Sequence, residues 1–180
     1  MMVFVVVSGS PGSGKSAVAA GLSERLGLPL LAHDDIKETL ADSLGLGDEE
    51  WSFALGRAAV DVLFDVAGRV DGAVLEGWWR DDRRDRLLAL GGPFVEVFCR
   101  CDPDVILERA RRRVAAGERH PIHRDAINPD VLDEMAAVAR SVEPLELGGP
   151  LFQVDTTTRV NTEPLADDIR RALATPSKLS

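Results

Sequence analysis

Val3-Phe4-Val5-Val6-Val7-Ser8 runs directly into Gly9-Ser10-Pro11-Gly12-Ser13-Gly14-Lys15-Ser16. The first six residues are an unbroken apolar run, the signature of a strand covered on both faces. The next eight fit G-x-x-x-x-G-K-[ST] at every fixed place. The spacing has a physical cause. Glycines let the backbone wrap tightly enough for successive N–H groups to point inward at phosphate oxygens. A helix beginning at Gly14 adds its positive N-terminal end. Lys15 reaches β- and γ-phosphates, and the Ser16 hydroxyl is a ligand for Mg²⁺. Gly9, Ser10, Gly12, Ser13, Gly14, Lys15 and Ser16 are therefore the expected nucleotide-binding residues, with Ser16 as the metal ligand.

Downstream, short apolar runs alternate with helical patterns. Strands are expected at Val3–Ser8, Pro29–Ala32, Ala73–Glu76, Phe94–Cys99 and Leu151–Val154. The first helix spans about Gly14 to Leu26, with Val18, Leu22 and Leu26 on one stripe and Gly27 as its stop. Further helical patterns cover Ile36–Ser43, Glu49–Val70, Asp82–Leu90, Pro103–Ala116, Pro129–Ser141 and Pro164–Ala174. This alternation predicts an α/β domain, a doubly wound five-stranded parallel sheet with helices on both faces. At 180 residues the chain fits one domain, 1–174, with a frayed tail over 175–180.

A formal net charge of −9 weighs against nucleic acid or an anionic membrane as partner. No stretch is long and apolar enough to span a bilayer, and no signal peptide is expected ahead of the first strand, which lacks a basic n-region and a cleavage pattern before it. A cytoplasmic location is the default expectation. Cys99 and Cys101, two apart at a strand end, are expected to stay reduced.

In such a sheet, ligands sit beyond the carboxyl ends of the strands. The run His33-Asp34-Asp35-Ile36-Lys37 places two carboxylates there. Phosphoryl transfer to a hydroxyl needs a group that orients the hydroxyl and takes its proton, which an Asp can do. Helix capping is the competing role, and a doublet leaves room for one residue in each. Lys37, one turn on, is either a phosphate contact or a solvated surface lysine. Glu76, at the end of the third strand, is read either as an acid that binds Mg²⁺ through water or holds a substrate hydroxyl, or as a structural hydrogen-bonding residue. Trp78 and Trp79 are candidates to wall an acceptor pocket, with at least one expected in the core. Arg80 is grouped with the acceptor side. Arg83, Arg84 and Arg86, interleaved with Asp81, Asp82 and Asp85, read as a solvated helix face.

In the helix from Pro103, Leu107, Ala110 and Val114 form the expected apolar stripe, with Arg109, Arg112 and Arg113 on the other side. Arg119-His120-Pro121-Ile122-His123-Arg124 adds a second basic cluster to an acidic chain. Arginine's planar fork suits phosphate oxygens. The alternative is an exposed, salt-bridged helix. His-x-x-His without a third ligand is a weak zinc signal.

The phosphate loop together with His-Asp-Asp-Ile-Lys-Glu-Thr-Leu resembles the small P-loop kinases that include the phage-type polynucleotide 5′-kinases. It resembles more strongly still the bacterial ATP-binding kinases of unassigned acceptor grouped with them. Chloramphenicol phosphotransferase, zeta toxins, gluconate kinase and shikimate kinase are more distantly similar. The resemblance spans roughly Val3 to Asp155 and implies the P-loop NTPase fold. It implies Asp34 as general base and Lys37, where the polynucleotide kinases carry Arg, as a phosphate or acceptor contact. It also implies an Arg-rich lid over about 109–125, led by Arg109 and Arg113, and a loop at Thr156 bordering the adenine. Arg119, His120 and His123 are implied on the acceptor side. The function so implied is a Mg²⁺-dependent transfer of the γ-phosphoryl of ATP, with GTP as the alternative, to a hydroxyl on a small molecule. An antibiotic or nucleoside-like natural product fits the high-GC character of the composition. A polynucleotide 5′-hydroxyl kinase and a non-catalytic nucleotide-binding switch are the rival readings. The sequence does not specify an oligomeric state.

Overall fold

The computed structural model describes residues 3–79, 81–123, 131 and 137–174. Five strands form one parallel sheet: β1 (Val3–Gly9), β2 (Leu30–Ala32), β3 (Gly72–Glu76), β4 (Phe94–Arg100) and β5 (Leu151–Asp155), in the order β2-β3-β1-β4-β5. The connecting helices are α1 (Lys15–Leu26), α2 (His33–Leu44), α3 (Glu49–Ala67), α4 (Asp81–Ala89), α5 (Pro103–Ala115) and α6 (Thr162–Ala174).

The unbroken apolar character of β1 is explained by its place. It is the central strand, all seven of its residues are buried, and successive side chains enter opposite layers. Phe4 and Val6 join Leu63 and Phe64 of α3, Leu87 of α4 and Trp79. Val5 and Val7 join Val18 and Leu22 of α1 and Ile169 of α6. Full burial of each such side chain contributes about 1.5–3 kcal/mol relative to exposure. The edges are short or half-covered: β2 has three residues, and β5 alternates exposed and intermediate positions. That limits pairing with other chains.

Glu96 is one of the polar residues buried within the sheet. Glu96 of β4 accepts the Ser8 hydroxyl at 2.8 Å and the backbone N–H groups of Leu145 (2.8 Å) and Glu146 (3.1 Å). Arg84 of α4 donates to the carbonyls of the same two residues. Between them they fix the approach to β5, so the buried carboxylate is hydrogen-bonded rather than stranded.

Element bounds follow the sequence reading within a few residues, with two differences that matter. Helix α2 starts at His33, three residues before the expected Ile36. Its N-cap is Ala32 with no side-chain cap bond, so neither Asp34 nor Asp35 caps the helix. Both lie in its first turn, where carboxylates interact favourably with the helix dipole. In α5 the innermost residues are Ile106 and Ala110, with Leu107 and Val114 half-buried. The inward face is therefore rotated from the expected stripe, and it carries Arg109 and Arg113 with it. Most of the helix expected at Pro129–Ser141 lies outside the described residues.

Candidate active site

The order of the sheet reverses at β1, and a cavity of about 870 Å³ opens beyond the carboxyl ends of the strands. The phosphate loop forms one wall. Gly9 has φ 137°, and a Cβ there would lie 2.5 Å from the Cys99 carbonyl oxygen, so β4 leaves room only for glycine. Gly14, at φ 87°, is the left-handed residue from which α1 starts. Lys15 is buried. Its Nζ donates to the Ser10 carbonyl at 3.0 Å and lies 3.9 Å from Glu76 Oε1. Ser13 Oγ is buried with no hydrogen-bond partner among the described residues. Ser16 is exposed toward the cavity.

Strand pairing sets Glu76 opposite Val7, level with the start of the loop. Burial pushes the Glu76 carboxyl above its ordinary value. Lys15 opposes that shift, and Asp34 and Asp35 add to it. On β4, burial pushes the Cys99 thiol up to about 12, so it stays a thiol at neutral pH. Both cysteines are free.

Arg109 of α5 faces the loop. Its Nη1 donates to the Thr156 carbonyl and its Nη2 to the Thr157 carbonyl, both at 2.9 Å, and Nη1 lies 3.4 Å from Cys101 Sγ. Thr156 is itself tied to the Arg100 carbonyl through its N–H (2.7 Å) and hydroxyl (2.8 Å). Thr156, Arg109, Arg112 and Arg113 all line the cavity.

The opposite wall comes from α2, α3 and residues 119–123. Asp34 faces the cavity with its side chain 46% exposed, whereas Asp35 is exposed elsewhere and does not line it. Burial tends to raise the pKa of the Asp34 carboxyl. The His33 hydrogen bond outweighs this, with the charges of His123, Arg119 and His33, and holds the carboxyl well below the usual range. His33 Nδ1 is 3.1 Å from Asp34 Oδ1, and its Nε2 is 3.0 Å from the Gly56 carbonyl of α3. One ring thus ties Asp34 to a second helix. Arg119 Nη1 is 3.5 Å from the other Asp34 oxygen. The Asp35 carboxyl is raised by partial burial and by Glu38 and Asp34.

Lys37 is buried, so the solvated-lysine reading is corrected. Its Nζ donates to Ser52 Oγ at 2.9 Å, and that hydroxyl donates to the Ile122 carbonyl at 2.6 Å. Ile122 packs fully buried against Ala41 and Leu55. Asp34, Glu38 and Asp42 recur at four-residue steps along α2, and the last two take His123 Nε2 (2.7 Å) and His120 Nε2 (3.1 Å). His123 lines the cavity; its pKa is lowered by burial, which the neighbouring Asp34 and Glu38 only partly offset. His120, implied on the acceptor side together with His123, is paired with Asp42 and does not line the cavity. The Arg119–His123 stretch therefore docks on α2 and α3.

The two tryptophans divide their roles. Trp79 is core, with Nε1 donating to the Val7 carbonyl at 3.0 Å and its ring edge-on to Phe64. Trp78 lines the cavity. Arg80, and residues 124 and 125 of the expected lid, lie outside the described residues. The sequence reading missed His33, Ser52, Phe53, Arg57 and Arg159 as cavity residues. Their only shared signal is proximity in the fold.

The AAA domain family pattern matches residues 4–141, and the chain belongs to that family. A protein of Chloroflexus aurantiacus, provisionally named a kinase, superposes with a TM-score of 0.86 at 32% identity, covering 95% of this chain and 98% of its own. A cytidylate kinase of Archaeoglobus fulgidus is 32% identical over 120 residues, and the match spans 61% of each chain. Shikimate kinase from Acinetobacter baumannii, solved with shikimate, shares the fold at a TM-score of 0.65 and 17% identity, covering 100% of this chain and 97% of its own. The fold is that of the P-loop kinases. Among the described residues no helix is long and apolar enough to cross a membrane.

Proposed function

We propose that the protein is a Mg²⁺-dependent phosphotransferase that moves the γ-phosphoryl of ATP, or of GTP, to a hydroxyl of a small molecule. The observation that carries this reading is the shared cavity. The phosphate loop and the Asp34 carboxylate face one space, with arginines among its lining residues. A nucleotide-binding switch has no need of a held carboxylate opposite its phosphate trap.

The acceptor oxygen attacks Pγ, the bond from Pγ to the β–γ bridging oxygen breaks, and ADP leaves. Asp34 orients the hydroxyl and takes its proton. A strongly held carboxylate is a weak base but an effective orienting group, which suits a loose transition state in which the proton leaves late. His33 keeps Asp34 in place by spanning from Gly56. Lys15 turns from the Ser10 carbonyl toward the phosphates. Arg109 and Arg113 offset charge on the transferring group. Ser13 Oγ, unsatisfied in the fold, gains a partner when phosphate fills the loop. Thr156 borders the base. Ser16 and Glu76 offer hard oxygen donors that fit Mg²⁺, which when bound neutralises phosphate charge. Lys37, Trp78, Arg119 and His123 form the acceptor side.

Support from relatives is at the level of class. The named relatives include cytidylate, adenylate and shikimate kinases, which fit a kinase acting on a small molecule. An antibiotic or nucleoside-like acceptor belongs to this reading as its narrower form. The deciding experiment follows label from γ-³²P-ATP across nucleosides, sugars, hydroxy acids, antibiotics and 5′-hydroxyl oligonucleotides. Label on a small molecule is the expected result. Label on oligonucleotides alone favours a polynucleotide kinase, and labelled inorganic phosphate alone favours a switch.

A further inference from the structure

The charge lining the cavity is the reverse of the charge of the chain. The whole protein carries −9. Among the described residues that line the cavity are nine lysine and arginine side chains and only two carboxylates, Asp34 and Glu76. The surplus is not confined to the nucleotide wall. Lys15, with Glu76 beside it, and the arginines of α5 face the phosphate loop. On the acceptor wall, Arg119 lies against Asp34, and Lys37, Arg57 and Arg83 line the same side, Asp34 being the one carboxylate among the described residues there. Arg57 directly follows Gly56, the residue whose carbonyl holds His33 and through it Asp34. It is exposed, and no hydrogen bond or ion pair with a described residue engages it. Arg83 Nη1 donates to the carbonyl of Trp78, bringing α4 against the aromatic wall. Phe53, one turn before Arg57 on α3, is 49% exposed and also faces the cavity.

Cations gathered in a concave site focus a positive potential and draw in anions. Magnesium nucleotide answers the charge at the loop. It does not answer Arg57, which lines the cavity on the far side from the loop, next to the Gly56 anchor of His33. We infer that the acceptor is itself an anion: a small hydroxylated compound whose carboxylate or phosphate is read by Arg57, with an apolar face against Trp78 and Phe53. This rests on the phosphotransferase reading and narrows it. The acceptor is nucleoside- or sugar-sized, because nucleotide and acceptor share a cavity within the range of about 300–1,000 Å³ usual for a single ligand. A polycationic aminoglycoside is the wrong charge for this wall.

The test uses the whole protein and charge-matched pairs. Binding of the non-hydrolysable analogue AMP-PNP with Mg²⁺ is measured first. With that complex saturated, calorimetry compares CMP with cytidine, shikimate with its methyl ester and gluconate with glucose, and kanamycin serves as the cation. At least one anion is expected to bind about tenfold or more tightly than its neutral partner, the worth of a charge-assisted hydrogen bond. Arg57→Gln should erase that preference, and Arg57→Glu should invert it toward the neutral partner. Two results overturn the inference: neutral or cationic compounds binding as well as the anions, or no anion binding at millimolar concentration while AMP-PNP is bound. Failure of AMP-PNP itself to bind sinks the phosphotransferase reading instead. A carboxylate and a phosphate source are told apart by which pair shows the preference.

Discussion

The two walls of the cavity are built in different ways. The nucleotide wall is continuous in sequence: the eight residues Gly9–Ser16, from the last residue of β1 into the first turn of α1, supply the loop, the lysine and the Ser16 hydroxyl. Its main instruments are backbone N–H groups and glycine conformations. The acceptor wall is assembled from α2, α3, the Trp78 turn and residues 119–123. Its instruments are side chains held by other side chains, such as His33 between Asp34 and Gly56, or Ser52 between Lys37 and Ile122. A backbone trap tolerates little change and recognises one common group. A side-chain wall can be rebuilt piece by piece, which suits the variable half of a two-substrate site.

If this contrast is right, the largest loss comes from the nucleotide wall. Lys15→Ala should lower kcat/KM on the order of 10³, because it removes a charge aimed at the transferring group. Circular dichroism should show the fold intact. Turnover near that of the parent would break the contrast at its strongest point. On the acceptor wall, Asp34→Asn should lower kcat on the order of 10² or more with nucleotide affinity little changed. Asp35→Asn, outside the cavity, should do far less. The reverse order would move the base by one position.

The His33 tether gives a smaller and sharper effect. Asparagine places its amide nitrogen near the Nδ1 position, and glutamine near Nε2. His33→Asn should keep the contact to Asp34 and most of kcat. His33→Gln should keep only the anchor to Gly56 and lose about tenfold in kcat, since a misplaced reacting group is costly. KM for ATP should hold in both. Equal losses, or losses confined to KM, would make His33 a packing residue.

The smallest effect concerns pH. The Asp34 carboxyl is held well below its ordinary range in the folded protein. Its depressed pKa means that it stays ionised as pH falls from 7 toward about 4, the ordinary carboxylate value. The pH profile of kcat/KM should therefore show no limb from Asp34 above about pH 4. The stability contributed by its contacts is present above the unfolded value and fades as pH falls below it. Replacing His33 by Ala should bring an acid limb closer to the ordinary range. A limb near neutral pH that disappears in Asp34→Asn would contradict the tether.

The same contrast explains what was legible in the sequence. The continuous apolar run of β1 and the loop spacing carry their meaning locally, so sheet, order of elements and phosphate trap could all be read. Asp34 was readable as one of a pair, but only folding shows that Asp34 faces the cavity and Asp35 does not. Arg57 was invisible: on α3 it is one more charged residue in an amphipathic pattern, and its importance arises from the turn that brings Gly56 to His33. Lys37 stayed open between a phosphate contact and a surface lysine because its partner Ser52 lies 15 residues away. His120 and His123 looked equivalent until α2 offered Asp42 to one and Glu38 to the other. The stripe of α5 was read as Leu107, Ala110 and Val114; packing keeps Ala110 but puts Ile106 innermost and leaves Leu107 and Val114 half-buried, a choice set by what the helix lies against.

The most direct test of the central claim is the fate of the γ-phosphoryl in the parent protein and in Asp34→Asn, each with Mg²⁺, γ-³²P-ATP and an accepting hydroxyl compound. Transfer product and inorganic phosphate are separated, and ATP affinity is measured in parallel. The two-walled cavity predicts labelled acceptor from the parent, loss of that product on the order of 10² in the variant, and ATP affinity unchanged. Labelled inorganic phosphate alone, released at equal rates by both proteins, would show that Asp34 takes no part and that the cavity binds nucleotide without transferring its phosphoryl group.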